Sequence, residues 1–132
     1  PTAIDRGTFI AARPAAEGRV RLQSLLDPAR FEGQLPAGRQ ERGEGWPSAA
    51  SGRWFDYPLG VLRAARAAGQ LCDGIELLFG GNLPIGAGLS SSASICVGTA
   101  LAVEALAGPA PQGGGPTRWV EQALEAERGF VG

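Results

Sequence analysis

The stretch that most constrains this chain runs from Gly80 to Gly98. It reads Gly80-Gly81-Asn82-Leu83-Pro84-Ile85-Gly86-Ala87-Gly88-Leu89-Ser90-Ser91-Ser92-Ala93-Ser94-Ile95-Cys96-Val97-Gly98. A glycine turn gives way to a serine cluster, and the cluster to a run of small residues with helical character. Glycine lets a backbone turn sharply and lets a ligand approach the main chain closely. The first amides of a helix have no intrahelical acceptor, and the helix dipole favours negative charge there. Together these features predict an anion cradle of the phosphate-binding kind, with donors from Gly86 through Ser92. One serine would satisfy a helix cap; Ser90, Ser91 and Ser92 in a row exceed what capping needs.

Composition removes competing chemistries. All twelve cationic residues are arginine, and lysine and histidine are absent from the 132 residues. Without an imidazole, a Ser-His-Asp or Cys-His nucleophile cannot be built within the chain. Without lysine, neither a Walker A loop nor a Ser-x-x-Lys site can form here. The net charge of −1 offers no basic field for nucleic acid. No apolar run is long enough to span a bilayer. Cys72 and Cys96 have neither zinc-ligand nor disulfide-framework spacing and read as small buried thiols of a cytoplasmic protein. The abrupt ends at Pro1 and Gly132 read as an excised piece rather than natural termini.

In chain order, Thr8–Arg13 predicts a strand, Pro14–Gly18 a turn, and Arg19–Ser24 a second strand paired with the first as a hairpin. Arg19, Arg21 and Gln23 alternate with Val20, Leu22 and Ser24, so one face is wet and one dry. Residues Leu25 to Gly52 carry many glycines and prolines and read as a long loop, with Phe31 and Leu35 sustaining a short strand. A helix is expected from about Pro58 to Ala68, closed by Gly69. Gly74–Phe79 alternates as a strand. Ser90 or Ser91 to Ala107 is the strongest helix pattern, apolar enough on several sides to be central, and Gly108-Pro109 ends it. Pro109–Pro116 is a loop, and Thr117 caps a last helix bearing Trp119, Ala123, Ala126 and Phe130. Strands come early and helices late, so the expected class is α+β.

Residues Leu83 to Ser94 resemble the ATP-binding motif of the superfamily that includes galactokinase, homoserine kinase, mevalonate kinase and phosphomevalonate kinase. The three serines before Ala93-Ser94 resemble galactokinase most. Trp54-Phe55-Asp56-Tyr57-Pro58-Leu59-Gly60-Val61 is similar to the galactokinase segment upstream of that loop. Ala126 to Gly132 is similar to the segment downstream, and Pro1 to Arg13 to the strand after the sugar-binding segment. The resemblance implies the N-terminal domain of the galactokinase-type fold, which is shared with a domain of ribosomal protein S5. It implies phosphoryl transfer from MgATP to the anomeric hydroxyl of galactose, giving galactose 1-phosphate and ADP.

Carried over by position, Gly86, Ala87, Gly88, Leu89, Ser90, Ser91 and Ser92 would wrap the ATP phosphates. Ser92 and Glu127 would hold Mg²⁺, an ion that prefers hard oxygen donors. Trp54 and Tyr57 would line the adenine side, with Ser24 nearby. The catalytic aspartate is expected beyond Gly132 and the sugar-recognition residues before Pro1, so the fragment alone is expected to be inactive. The expected partners are ATP and galactose, with no nucleic acid and no membrane, in a monomeric cytoplasmic parent enzyme. Two alternatives stay open: a non-catalytic sensor of galactose and ATP, and a superfamily kinase acting on another sugar or small alcohol.

Overall fold

The computed structural model describes residues 5–35, 46–71, 73–83 and 91–108, together with Glu121 and Leu124. Six elements follow in order: β1 (Thr8–Ala15), β2 (Arg19–Ser24), β3 (Phe31–Gln34), α1 (Asp56–Ala67), β4 (Gly74–Gly81) and α2 (Ser91–Ala107). Glu121 and Leu124 are helical. The rest of the last helix predicted from Thr117, the Pro109–Pro116 loop, residues 36–45 of the long loop, and Cys72 lie outside the described residues.

The strands form one sheet in the order β1-β4-β2-β3. The expected β1–β2 hairpin is therefore corrected: β4 lies between the two. It pairs antiparallel with β1, Thr8 opposite Gly81, and parallel with β2, Val20 opposite Ile75. β3 runs antiparallel to the other side of β2. The order of α1 before β4 is as expected from the helix ending near Ala68 and the strand from Gly74. Strict alternation along Arg19–Ser24 fixes which face is buried, but it carries no information on which strand lies alongside. Gly74 shows how the insertion is accommodated. A Cβ on this residue would collide with the main chain of Arg19 and with the carbonyl of Ala15, so β4 enters between β1 and β2 at a residue without a side chain.

Pro14 is a strand residue, not part of the turn, and sits opposite Ile75. It is tolerated because β1 is an edge strand, where a missing amide breaks no second ladder. The turn is displaced to Ala16–Gly18, and Arg19 donates to the Ala16 carbonyl at 3.1 Å.

Both helices cover one face of the sheet, giving a two-layer α+β arrangement. Leu59, Leu62 and Ala65 of α1 and Val103 of α2 join Val20, Leu22, Ile75, Leu77 and Phe79 in the main core. The period-two pattern of β2 is realised: Val20 and Leu22 are fully buried, while Arg19 and Gln23 are exposed. α1 ends as its sequence predicts. Gly69 donates to the Arg66 carbonyl at 3.0 Å and Gln70 to the Ala65 carbonyl at 2.9 Å, the paired bonds that satisfy a helix C-terminus. α2 packs on β1 and α1. Cys96, Thr99, Ala100 and Val103 are its buried side, whereas Leu101 and Leu106 are exposed, so α2 is apolar on a second side as well. Cys96 is buried, as expected.

Candidate functional site

Parallel strands β2 and β4 finish at the same end of the sheet, where α2 begins. Ligands favour the region beyond the carboxyl ends of such strands. A cleft of 120 Å³ opens at this end. Thr8 of β1, Ser24 of β2, Phe79 to Gly81 of β4 and Ser91 and Ile95 of α2 line it, with Trp54 ahead of α1. Gly7, Leu26, Asp27 and Leu83 complete the rim. Ser91 and Ile95 are one helical turn apart, so the first turn of α2 forms one wall. Leu83 and Ser91, the described residues that bracket 84–90, both face this cleft.

The Trp54 indole is a fixed wall. Its Nε1–H donates to the Ala29 carbonyl at 2.8 Å, and its ring meets Phe79 edge-on with centroids 5.2 Å apart. Ser24 ends β2 with its hydroxyl accepting from the Leu26 amide at 3.1 Å, a serine turn that closes the strand. The Asp27 carboxylate accepts from the Ala29 amide at 2.7 Å and thereby shapes the carbonyl that Trp54 uses.

Three of the residues singled out in the sequence, Ser24, Trp54 and Ser91, thus meet in one cleft although they come from separate elements. Ser92, also described, sits half-buried in the first turn of α2. Tyr57 is not among the lining residues of this cleft. It stands three residues after Trp54, within α1, and packs against the second core cluster of Val61, Cys96 and Ala100. Gly86, Ala87, Gly88, Leu89, Ser90 and Glu127 lie outside the described residues.

Sequence reasoning missed two anchors of the site. Asn82 binds the start of β1 from both sides: its side-chain oxygen accepts from the Gly7 amide at 3.0 Å, and its own amide donates to the Gly7 carbonyl at 3.2 Å. Ser94 donates to the Thr8 hydroxyl at 2.8 Å, pinning the first turn of α2 to β1. Neither had a local signal beyond membership of the glycine-serine stretch, because both partners lie far away in sequence.

The chemistry of the donor set suits a magnesium nucleotide in part. Ser92 supplies a hard hydroxyl oxygen at the helix start, of the type Mg²⁺ accepts beside phosphate oxygens. Among the described residues there is no cluster of three or more acidic, cysteine or histidine side chains that would hold a metal unaided.

A family model for the GHMP kinases N terminal domain matches residues 56–132. The chain belongs to the GHMP kinases. Among curated GHMP kinases, the galactokinase of Roseiflexus sp. is 35% identical over 106 residues, covering 80% of this chain and 25% of that protein. The galactokinase of Clostridium tetani is 33% identical over 95 residues, covering 72% of this chain and 22% of its own length. The chain therefore spans about a quarter of the length of these relatives. A mevalonate kinase crystal structure superposes with a TM-score of 0.74 at 19% identity, over 94% of this chain and 37% of that one. The Methanococcus jannaschii mevalonate kinase gives 0.71 at 19% identity, over 93% and 38%. At that identity the likeness speaks for the fold: an α+β GHMP N-terminal domain.

Proposed function

We propose that this chain is the nucleotide-binding part of an ATP-dependent galactokinase, which transfers the terminal phosphoryl group of ATP to the anomeric hydroxyl of galactose. One observation carries the reading: Leu83 and Ser91, at either end of residues 84–90, line the same cleft as Ser24 and Trp54. The glycine-serine stretch therefore leaves from and returns to an aromatic-walled slot at a helix start.

In this reading the amides and hydroxyls from Gly86 to Ser92 receive the phosphates, where the α2 dipole adds a favourable field. Each hydrogen bond to a charged oxygen contributes roughly 1.5–3 kcal/mol. Trp54 presents an aromatic surface on the base side. Ser92 and Glu127 would hold Mg²⁺, which would supply positive charge to offset that of the phosphate oxygens. Phosphoryl transfer asks a protein chiefly to position reactants and stabilise charge, and this chain's share is to hold the donor nucleotide. In this reading the base that takes the sugar proton and the groups that recognise the hexose are supplied elsewhere in a parent protein, and the 132 residues alone are expected to form no sugar phosphate. The galactokinase relatives, together with the three serines, favour galactose over other small alcohols.

The test is ATP-dependent phosphorylation of a sugar panel by the parent protein. Galactose is expected to be converted to galactose 1-phosphate with stoichiometric ADP. Preference for a different acceptor overturns the galactose assignment; ATP binding without turnover of any acceptor replaces the enzyme with a sensor. Ser92→Ala in the parent is expected to lower turnover at saturating Mg²⁺ while leaving the unfolding midpoint nearly unchanged. An unaltered turnover number removes Ser92 from the metal.

A further inference from the structure

Asp56 is the one acidic side chain with no solvent exposure among the described residues. Burying a carboxylate is costly unless its oxygens are fully hydrogen-bonded. Here they are. Oδ2 accepts from the amides of Ser51 at 2.7 Å and Arg53 at 3.1 Å, and Oδ1 accepts from the Ser51 hydroxyl at 2.9 Å. Phe55, at the N-cap of α1, makes no side-chain cap bond. The carboxylate instead stands on the first helical residue and reaches backwards, so all three of its donors come from the segment that precedes the helix.

That segment delivers Trp54. The Asp56 amide donates to the Arg53 carbonyl at 3.1 Å, which leaves Trp54 and Phe55 as the central residues of a closed turn. Gly52 makes the loop possible at φ +75°, a conformation that side-chain-bearing residues rarely adopt. Above the turn the rings form a chain: Trp54 on Phe55 with centroids 6.0 Å apart, Phe55 on Phe31 at 5.8 Å, and Phe31 on Trp46 at 5.8 Å. The aromatic contacts allow the indole to slide; the carboxylate clamp and the Ala29 carbonyl do not.

We infer that Asp56 is a positioning residue for nucleotide binding: its buried carboxylate locks the 51–53 loop and so holds the Trp54 indole as a preformed wall of the cleft. The inference rests on the nucleotide reading of that cleft. A ligand meeting a fixed wall loses less ordering entropy on binding than one that must first settle a mobile ring. An asparagine keeps an acceptor oxygen for the two amides and leaves the serine hydroxyl free to reverse its direction, so Asp56→Asn preserves the clamp. Asp56→Ala abolishes it.

Two readouts on the full-length parent separate the parts of the claim. The first needs no ligand. Hydrogen exchange of the Trp54 indole N–H, assigned by its disappearance in Trp54→Phe, is expected to be several-fold faster in Asp56→Ala and unchanged in Asp56→Asn. Equal exchange in wild type and Asp56→Ala overturns the positioning role whether or not the protein binds ATP. The second is kinetic, with the non-hydrolysable analogue adenylyl-imidodiphosphate as a binding probe. Asp56→Ala is expected to raise the KM for ATP and the Kd of the analogue roughly tenfold while kcat changes less than about twofold, and Asp56→Asn to restore both. A loosened indole with unaltered nucleotide affinity overturns the link to binding. Failure of the wild-type parent to bind the analogue overturns the nucleotide reading itself, and the exchange experiment still decides the clamp. Should Asp56→Ala not fold, Ser51→Ala removes one clamp bond at an exposed position and is expected to act in the same direction, more weakly.

Discussion

The same four strands run from one end of the sheet to the other, and the two ends carry opposite chemistries. Where β2 and β4 finish, the cleft is walled by Trp54, Phe79, Leu26 and Ile95 and is lined by the hydroxyl-bearing Thr8, Ser24 and Ser91; among the described residues no arginine lines it. Towards the other end, on the open face, guanidinium and carboxylate groups interlock across neighbouring strands. Arg13 grips Glu76 at 2.8 Å, Arg21 reaches Glu32 at 3.2 Å and Glu76 at 4.0 Å, and Arg19 lies 3.8 Å from Glu32. One end offers hydroxyl-bearing residues and a single carboxylate, Asp27, around an aromatic slot. The other has its charges satisfied by one another, as expected of a solvated sheet face. The contrast teaches that arginine abundance says little about where a ligand would bind in this chain: Arg13, Arg19 and Arg21 of β1 and β2 are partners of local carboxylates and stand apart from the cleft.

The contrast can be broken first at Gly74, where the charged end is held together. Gly74→Ala forces a methyl group into the Arg19 main chain and is expected to cost about 3 kcal/mol of stability, read as a fall in the denaturant midpoint. A midpoint within error of wild type would mean that β4 does not enter the sheet at this residue. At the cleft end, Trp54→Leu keeps an apolar side chain but removes the aromatic face. It is expected to weaken nucleotide binding by about 1–3 kcal/mol, the usual worth of a base stacked on an aromatic side chain. Titration with adenylyl-imidodiphosphate checks it. Tyr57→Phe sharpens the same comparison from the other side: with its ring packed on Val61, Cys96 and Ala100, loss of the hydroxyl is expected to leave nucleotide affinity unchanged.

The smallest effect belongs to the charged end. Hydrogen bonding from Arg13 holds the Glu76 carboxyl below its ordinary value of 4.5, and the Gly74 and Gly18 amides hold Asp73 below 3.8. A depressed carboxyl contributes stability above its unfolded-state value and loses it as pH falls through the folded one. The two groups together are expected to give a modest fall in unfolding midpoint as pH drops below 4.5. Glu76→Gln should flatten the upper part of that fall. An unchanged pH profile in this variant would leave the Arg13–Glu76 pair with no role in acid sensitivity. Both carboxyls are solvent-accessible, so salt is expected to shrink the effect further.

Legibility in the sequence divides along the same line. Elements announced by local chemistry were readable: the α1 stop at Gly69, the α2 start at Ser91, the alternation of β2, and the strand around Phe31. Ser24, Trp54 and Ser91, singled out through motif resemblance, line one cleft. What depended on distant partners was not readable. The β1–β2 hairpin was the economical choice for two strands with a turn between them, and only the demand of Gly74 for two flanking backbones argues otherwise. Tyr57 looked equivalent to Trp54 because three residues on a helix usually share a side. Trp54, however, lies before the first turn of α1 and Tyr57 within it, so the two rings diverge. Asp56 sat unmarked between them because a carboxylate that caps its own upstream loop has the same sequence appearance as any acidic residue in a first helical turn.

The place of β4 in the middle of the sheet also sets an order of events during synthesis. β1 and β2 emerge early but do not pair with each other; their shared neighbour is translated only after α1, and Thr8 waits for Gly81 as Val20 waits for Ile75. Long-range pairing of this kind slows folding and leaves edges exposed in the meantime. A nascent chain halted before β4 therefore holds a β2–β3 ribbon with one open edge and a β1 with no partner, and chaperone dependence should concentrate in the interval before β4 joins them.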